Sequence, residues 1–213
     1  MIALIDYGAG NVRSVHKALL AVGADVTLTQ SPEVVLGADK VVLPGVGAFA
    51  DCMENLAWLG LIDPVKAVVA GGVPFLGICV GMQVLFEYGE ELGGHVGLRL
   101  LPGRVVQFDI DSALKVPHTG WNEVEPVAES PLLAELPAAP WTYFNHSFYC
   151  RASPDDILAT TDYGGPFASV VGRGKLYGVQ FHPEKSQHVG LQVMRNFVHG
   201  IGTIPGIGTN GGE

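Results

Sequence analysis

The chain has little cysteine, little positive charge and no long apolar run, and each scarcity removes a class of function. Three cysteines in 213 residues, Cys52, Cys79 and Cys150, are odd in number and widely scattered. Neither a disulfide framework nor a CxxC metal site is suggested, and a reducing cytoplasm is the expected compartment. Only 12 Lys and Arg stand against 21 Asp and Glu, for a formal net charge of -9. Phosphate neutralisation needs clustered cations, so a nucleic-acid partner is excluded. No apolar stretch approaches the ~18 residues that span a membrane. The N-terminus lacks a charged segment followed by a long apolar one, so no ordinary signal peptide and no membrane association are expected. Repeats of fixed period and interior linkers are also missing. One domain over residues 1–200 is therefore expected, with a flexible glycine-rich tail at 201–213.

What is present suits a compact, loop-rich enzyme: 48% hydrophobic residues, 15% charged and 29 glycines. Ile2 to Ile5 reads as a buried strand, followed by the loop Asp6-Tyr-Gly-Ala-Gly-Asn11 and a helix over Val12 to Val22 that Gly23 ends. Asp25 to Thr29 and Lys40 to Leu43 predict two more strands with a short helix at Pro32 to Leu36 between them. This βαβαβ order predicts a parallel sheet with right-handed crossovers. Helices are predicted at Ala50 to Leu59 and Leu61 to Val69. From Arg104 onward the texture is short alternating runs: Arg104 to Phe108, Asn122 to Val127, Ser147 to Arg151, Ile157 to Thr161, Ala168 to Arg173 and Leu176 to Gln180. They predict antiparallel or mixed strands, and a helix over Gln187 to Val198 closes the domain. Gly8-x-Gly10 resembles part of a dinucleotide fingerprint, but the third glycine and the acidic residue ending the second strand are missing.

Val73 to Gln83 organises the chain. A strand, Pro74 to Ile78, is broken by Gly77-Ile-Cys-Val-Gly81, and a helix is predicted from Met82. This is the layout of a nucleophile elbow with cysteine in place of serine. Its thiol lies near unpaired helix N–H groups, which favour thiolate; a buried, inert thiol is the plainer alternative. Farther on, a strand runs into His182-Pro-Glu184. Two apart in an extended chain, the imidazole and carboxylate project to one side, so Cys79, His182 and Glu184 have the logic of nucleophile, base and orienting acid. Gly45 and Gly47 flank Val46 at the end of the third strand, where a peptide N–H could face a cleft as an oxyanion donor or simply form a turn. Cys52 and Cys150 are expected to be packing residues. His118 and His146 sit in unusual polar-aromatic strings, the first of which reads equally well as a loop.

Gly77-Ile-Cys-Val-Gly-Met-Gln83 with Phe181-His-Pro-Glu-Lys-Ser186 resembles the class I (triad) glutamine amidotransferase family. Ile5 to Val15, Pro44-Gly-Val-Gly-Ala-Phe49, Val116-Pro-His-Thr-Gly-Trp-Asn122 and Gly178 to Ser186 are similar, within that family, to the glutaminase subunits of imidazole glycerol phosphate synthases of histidine biosynthesis. The similarity runs from Met1 to about Gly200. It implies an open, mostly parallel, flavodoxin-like sheet flanked by helices, with antiparallel strands in the C-terminal half. It further implies a Cys79, His182, Glu184 triad hydrolysing L-glutamine through a γ-glutamyl thioester. Gly47, Gln83 and the backbone around Ser147 and Phe148 match glutamine-binding positions, and Gly45, Val46 and Val80 match the oxyanion hole. The Val46 region resembles a switch that must reorient before the hole forms. No metal or cofactor is implied. The implied partner is a (β/α)₈ cyclase subunit in a heterodimer. Asn11, Pro117, Trp121, Tyr143 and Lys185 match its docking face or gate, a solvated Lys185 being the alternative. Two residues depart from the pattern: Asn145 stands where an apolar residue is expected, and Thr119 where methionine is frequent.

Other readings predict other residues. Anthranilate- and guanylate-type glutaminases typically carry histidine at position 82 and Gly-Gly-Pro in the oxyanion loop. The pyridoxal phosphate synthase glutaminase lacks the Met82-Gln83 pair. A stand-alone cysteine peptidase or γ-glutamyl hydrolase would need no partner, and a non-catalytic relative would have no use for an intact triad.

Overall fold

The computed structural model describes residues 1–8, 11–109 and 114–202. Its centre is a five-strand parallel block in the order β2-β1-β3-β4-β14: β1 (Ile2–Ile5), β2 (Val26–Thr29), β3 (Lys40–Leu43), β4 (Phe75–Ile78) and β14 (Leu176–Val179). The four residues of β1 and of β4 are all buried, which is why these strands read as continuous apolar runs rather than alternations. Helix α1 (Val12–Ala21) buries Val15, Ala18 and Leu19, spaced three and four apart along one face. Ser31 caps α2 (Pro32–Leu36) by accepting from the Val34 amide, with proline in the first turn.

This strand order is the flavodoxin-like one, and it places ligands outside the carboxyl ends of the strands. The loops after β1, β3, β4 and β14 all leave at that end, so Asp6, Pro44 to Gly47, Cys79 and His182 are brought to one edge by topology alone.

Most strands of the C-terminal half extend the same sheet. β13 (Pro166–Arg173) pairs antiparallel with β14 and carries the same sheet onward through β11 (Phe148–Ala152) to β7 (Gly103–Gln107), then to β5 (Tyr88–Gly89) and β6 (His95–Val96). β12 (Ile157–Asp162) and β9 (Glu125–Pro126) branch from β13. A second sheet of two strands, β8 (His118–Glu123) and β10 (Trp141–His146), stands over the carboxyl edge.

That ribbon departs most from the sequence expectation. The string from Lys115 is read as a loop with no strand predicted in it, the next strand is expected at Asn122 to Val127, and Trp141–His146 is not predicted at all. The inward positions of β10 are Thr142, Phe144 and His146. Two of the three are polar, which hides the alternation.

The helix after Cys79 is also shorter than predicted: α5 spans Val80–Gln83, and the chain turns at once to β5. Helices α3 (Phe49–Trp58) and α4 (Ile62–Ala70) fall within a residue of expectation. The closing helix α6 (Gln187–Arg195) passes into a π turn, Asn196–Gly200. Its final carbonyls are gathered by Lys40 Nζ, which donates to Phe197 (2.9 Å), Val198 (2.7 Å) and Ile201. Ile201 is buried against the core. Residues 203–213, most of the expected tail, lie outside the described residues.

Candidate active site

Cys79 follows the last residue of β4 with φ 54° and ψ -112°, a conformation that costs a non-glycine residue of order 1–3 kcal/mol and persists only where its surroundings enforce it. The surroundings are tight. A Cβ on Gly45 would lie 2.5 Å from the Gly81 nitrogen, and one on Gly81 would enter the Leu43 carbonyl. The elbow is thus wedged against the end of β3, and glycine is the residue that permits the wedge. The Cys79 amide donates to the Val179 carbonyl at 2.8 Å, which ties the elbow to β14.

Three residues beyond that carbonyl comes His182. Its Nδ1 pairs with Glu184 Oε1 at 2.8 Å, and the ring and Cys79 border the same cavity. The His182 and Glu184 side chains are 3% and 0% exposed, so the pair is out of water. Burial lowers the imidazole pKa, but its polar interactions with Cys79 and Glu184 and their negative charges outweigh it and raise the ring to about 10. The contact arises by a different route from the one expected. Pro183–Lys185 is a 3₁₀ turn with His182 at its head, and the turn, not an extended strand, folds the carboxylate back onto the ring. β10 backs the arrangement: the His182 amide donates to the Tyr143 carbonyl at 2.9 Å, and Ser186 Oγ donates to the His182 carbonyl at 2.7 Å.

A cavity of about 240 Å³ opens above Cys79, lined among others by Val46, Gly47, Val80, Gln83, Ser147, Phe148 and His182. The expected substrate-binding positions therefore surround one space. Gly47 adopts φ 101°, open to glycine and strained for other residues. The Val80 amide, an expected oxyanion donor, points at the Gly45 carbonyl, 3.4 Å away. Tyr7 Oη donates to the Pro44 carbonyl at 2.7 Å and lies 3.0 Å from Cys52 Sγ. A phenol has one proton and a carbonyl only accepts, so the Cys52 thiol is the donor in that second contact. Burial first, then Cys52, raises the Tyr7 pKa well above 10, and burial pushes Cys52 up to about 12. This neutral pair pins the root of the Pro44–Gly47 segment.

The five positions matched to a docking face divide in two. Pro117, which follows a cis peptide bond, and Lys185 line the cavity. Lys185 Nζ lies 5.6 Å from the centre of the Tyr143 ring, and Tyr143 is paired in register with the half-exposed Trp121. Asn11 is elsewhere: its side-chain amide donates to Glu184 Oε1, behind the triad. The two departures from the family pattern meet each other. Thr119 and Asn145 are cross-strand partners, and Thr119 Oγ1 donates to Asn145 Oδ1 at 3.0 Å.

Sequence reasoning missed two further cavity neighbours. Glu91 lies in the span read as the fading end of a helix, yet it lines the cavity, and its carboxylate accepts from the Phe49 amide at 2.7 Å. Gln180 is wholly buried, with Nε2 3.7 Å from Cys79 Sγ. A glutamine two residues before the histidine was the available signal. The unusual histidines form a buried pair, His118 Nδ1 to His146 Nε2 at 3.0 Å. His146 Nδ1 lies 2.7 Å from the Phe148 carbonyl and must carry the proton there. His146 Nε2 therefore accepts from His118, whose Nε2 faces the Asn122 amide at 3.3 Å. Burial lowers His118 to about 4; burial, outweighing the hydrogen bond to the Phe148 carbonyl and aided by the nearby His182 charge, lowers His146 to about 3, so both rings are neutral.

Residues 3–201 match the family model for glutamine amidotransferase class-I. The chain is 50% identical over 203 residues to imidazole glycerol phosphate synthase subunit HisH of Salinibacter ruber, covering 92% of this chain and 93% of that one. It is 48% identical over 205 residues to the protein of the same name from Syntrophotalea carbinolica, covering 92% and 98%. Among solved structures, one described as a glutamine amidotransferase superposes with TM-score 0.72 at 18% identity, covering 92% of this chain and 97% of that one. A chain of PurLQS from Thermotoga maritima superposes with TM-score 0.68 at 16% identity, covering 92% and 96%. These structures share the fold, and the sequence match over nearly the whole chain gives the lineage: the chain belongs to the class I glutamine amidotransferase family.

Proposed function

We propose that this chain is the glutaminase subunit of an imidazole glycerol phosphate synthase, hydrolysing L-glutamine to glutamate and passing the ammonia to a (β/α)₈ cyclase subunit in a cytoplasmic heterodimer. The observation that carries the reading is the buried line of Cys79, His182 and Glu184 beneath a cavity at the carboxyl edge of the sheet. The two relatives bear that enzyme's name over nearly their full length, and the sparse, unpaired cysteines suit a reducing compartment.

Cys79 Sγ attacks the side-chain carbonyl carbon of glutamine, and the C=O electrons move onto oxygen. His182 holds the thiol proton, and gives it to the departing nitrogen as the tetrahedral intermediate collapses to the γ-glutamyl thioester and ammonia. Water, deprotonated by the same ring, then cleaves the thioester to glutamate. Glu184 keeps Nδ1 protonated and the ring in plane throughout. Glu91 supplies a carboxylate for the substrate ammonium, and the backbone at Gly47, Ser147 and Phe148 with Gln83 frames the rest.

The oxyanion hole has to be made. The Val80 N–H is engaged by the Gly45 carbonyl, and that oxygen belongs to the same peptide as the Val46 N–H. One rotation of the Gly45–Val46 peptide would release the Val80 donor and deliver the Val46 donor together. A missing donor of this kind costs about 10²–10³ in kcat, so the isolated chain has weak activity. Docking of the cyclase on the face formed by Pro117, Trp121, Tyr143 and Lys185, with Asn11 behind the triad, favours the rotated state.

The test is glutamate release from glutamine by the purified chain, alone and together with the cyclase and an analogue of its substrate. A rise of about 10² or more on addition is expected, and equal rates with and without the partner would overturn the switch. Cys79→Ala should abolish glutamine-dependent synthesis of imidazole glycerol phosphate and leave synthesis from ammonium salts intact. Persistence of glutamine-dependent synthesis in that variant would overturn the whole reading.

A further inference from the structure

The geometry points to Gln180 as a further residue of the reaction centre, a hydrogen-bond donor that holds the Cys79 sulfur in its attacking position. This rests on the reading of Cys79 as nucleophile. The sheet register carries the argument first. β14 runs parallel to β4 with Val179 opposite Ile78, so Gln180, the residue that follows β14, comes level with Cys79, which follows β4. Its side chain is fully buried and projects to the same side as His182, two residues on.

The direction of the amide is settled by a backbone carbonyl rather than by choice. The Phe148 carbonyl can only accept, and Gln83 Nε2 lies 3.0 Å from it, so the Gln83 amide nitrogen faces β11. That same nitrogen is 3.1 Å from Gln180, which must therefore present its oxygen to Gln83. The remaining end of Gln180 is its NH₂ group, and it is 3.7 Å from Cys79 Sγ. The Phe148 carbonyl takes a second donor from the other side, Nδ1–H of His146. A single carbonyl thus orients a chain of donors whose last N–H meets the sulfur.

The Gln180 amide thus reaches Sγ from within the fold, while the sulfur and the His182 ring both border the cavity on the other side. When Sγ bonds to the substrate carbon its negative charge disappears, and the Gln180 contact weakens. Its part is consequently to aim the sulfur before attack. Misplacement of a reacting atom by about an ångström costs on the order of 10²-fold.

Gln180→Met removes the donor and keeps the bulk. Gln180→Glu keeps the shape and still accepts from Gln83, but sets a carboxylate oxygen against the sulfur. Two rates are measured on each variant of the full chain with its cyclase partner: glutamine turnover, and alkylation of Cys79 by chloroacetamide. For Gln180→Met, kcat falls about 10- to 100-fold with KM within about twofold. For Gln180→Glu, alkylation at about pH 8 is slower than for Gln180→Met by about tenfold. The gap closes as the pH is lowered to about 5 and the introduced carboxyl takes a proton and becomes a donor. His182 with Glu184, Tyr7, Cys52, Cys150, His146, Glu91 and Lys185 are the titratable groups around the sulfur and its cavity. They are common to both variants, so the ratio isolates position 180. Wild-type kcat and alkylation in Gln180→Met, or a ratio flat across pH, would overturn the assignment. The nucleophile reading fails separately, by activity surviving Cys79→Ala.

Discussion

At the scale of single residues, the three cysteines have been given different fates by their surroundings. All three are buried and of them Cys79 lines the cavity, while burial pushes the Cys52 thiol up to about 12 and that of Cys150 well above the usual 9. Thiolate is the reactive form, so neither is reactive near neutral pH. A disulfide reagent should therefore modify one thiol of the native protein quickly and three after unfolding, counted by mass. Rapid modification of Cys52 in the native state would contradict its hydrogen bond to Tyr7. The neutral histidine pair makes the opposite kind of prediction. Unfolded histidine titrates near 6.5, whereas folded His118 and His146 titrate at about 4 and about 3. As pH falls from about 6.5 toward 4, the unfolded chain gains protons that the folded chain refuses, so stability is lost on acidification. Replacing both rings, His118→Phe with His146→Phe, should flatten the fall of Tm over that window; an unchanged slope would contradict the assignment. Both must be changed, since removing one leaves the other without its partner.

At the scale of elements, the elbow and the ribbon show what a sequence conveys and what it withholds. The apolar runs of β1, β3 and β4 and the glycines around Cys79 were legible because the physical demand on them is local: burial on both faces, and a turn too tight for a side chain. Gly81→Ala should test that demand, destabilising the protein by about 3 kcal/mol or more in urea unfolding, because the added methyl meets the Leu43 backbone rather than a movable side chain. The β8–β10 ribbon was not legible, because its inward face is histidine, threonine and phenylalanine and its outward face carries tryptophans. The Thr119–Asn145 contact is a case in point. Each residue alone is an unexplained departure from the family, and the register that joins them is visible only in the structure. A double-mutant cycle, Thr119→Ala with Asn145→Ala, should give a coupling of about 0.2–1 kcal/mol, as for other polar cross-strand pairs. Strict additivity would mean that the pair contributes nothing as a pair.

At the scale of the whole molecule, the flavodoxin-like strand order explains why residues from four distant stretches share one edge. The cysteine, histidine and carboxylate were identifiable from their motifs. Their convergence follows from a parallel register that no motif states. Asn11, Gln180 and Glu91 illustrate the remainder. Asn11 matched a docking position, and its contact with Glu184 emerges only when the loop after β1 is set beside the turn after β14. Gln180 comes level with Cys79 through strand pairing, and Glu91 reaches the cavity because α5 ends after four residues. All three touch the surroundings of a triad whose sulfur is taken as the nucleophile of glutamine hydrolysis, and that claim is open to one direct measurement. The native complex is treated with a glutamine-analogue alkylator, and the modified residue is located by peptide mass analysis while glutaminase activity is followed. The account predicts a single adduct on Cys79, formed in step with loss of activity and prevented by glutamine. An adduct on Cys52 or Cys150, or loss of activity with Cys79 unmodified, would contradict it.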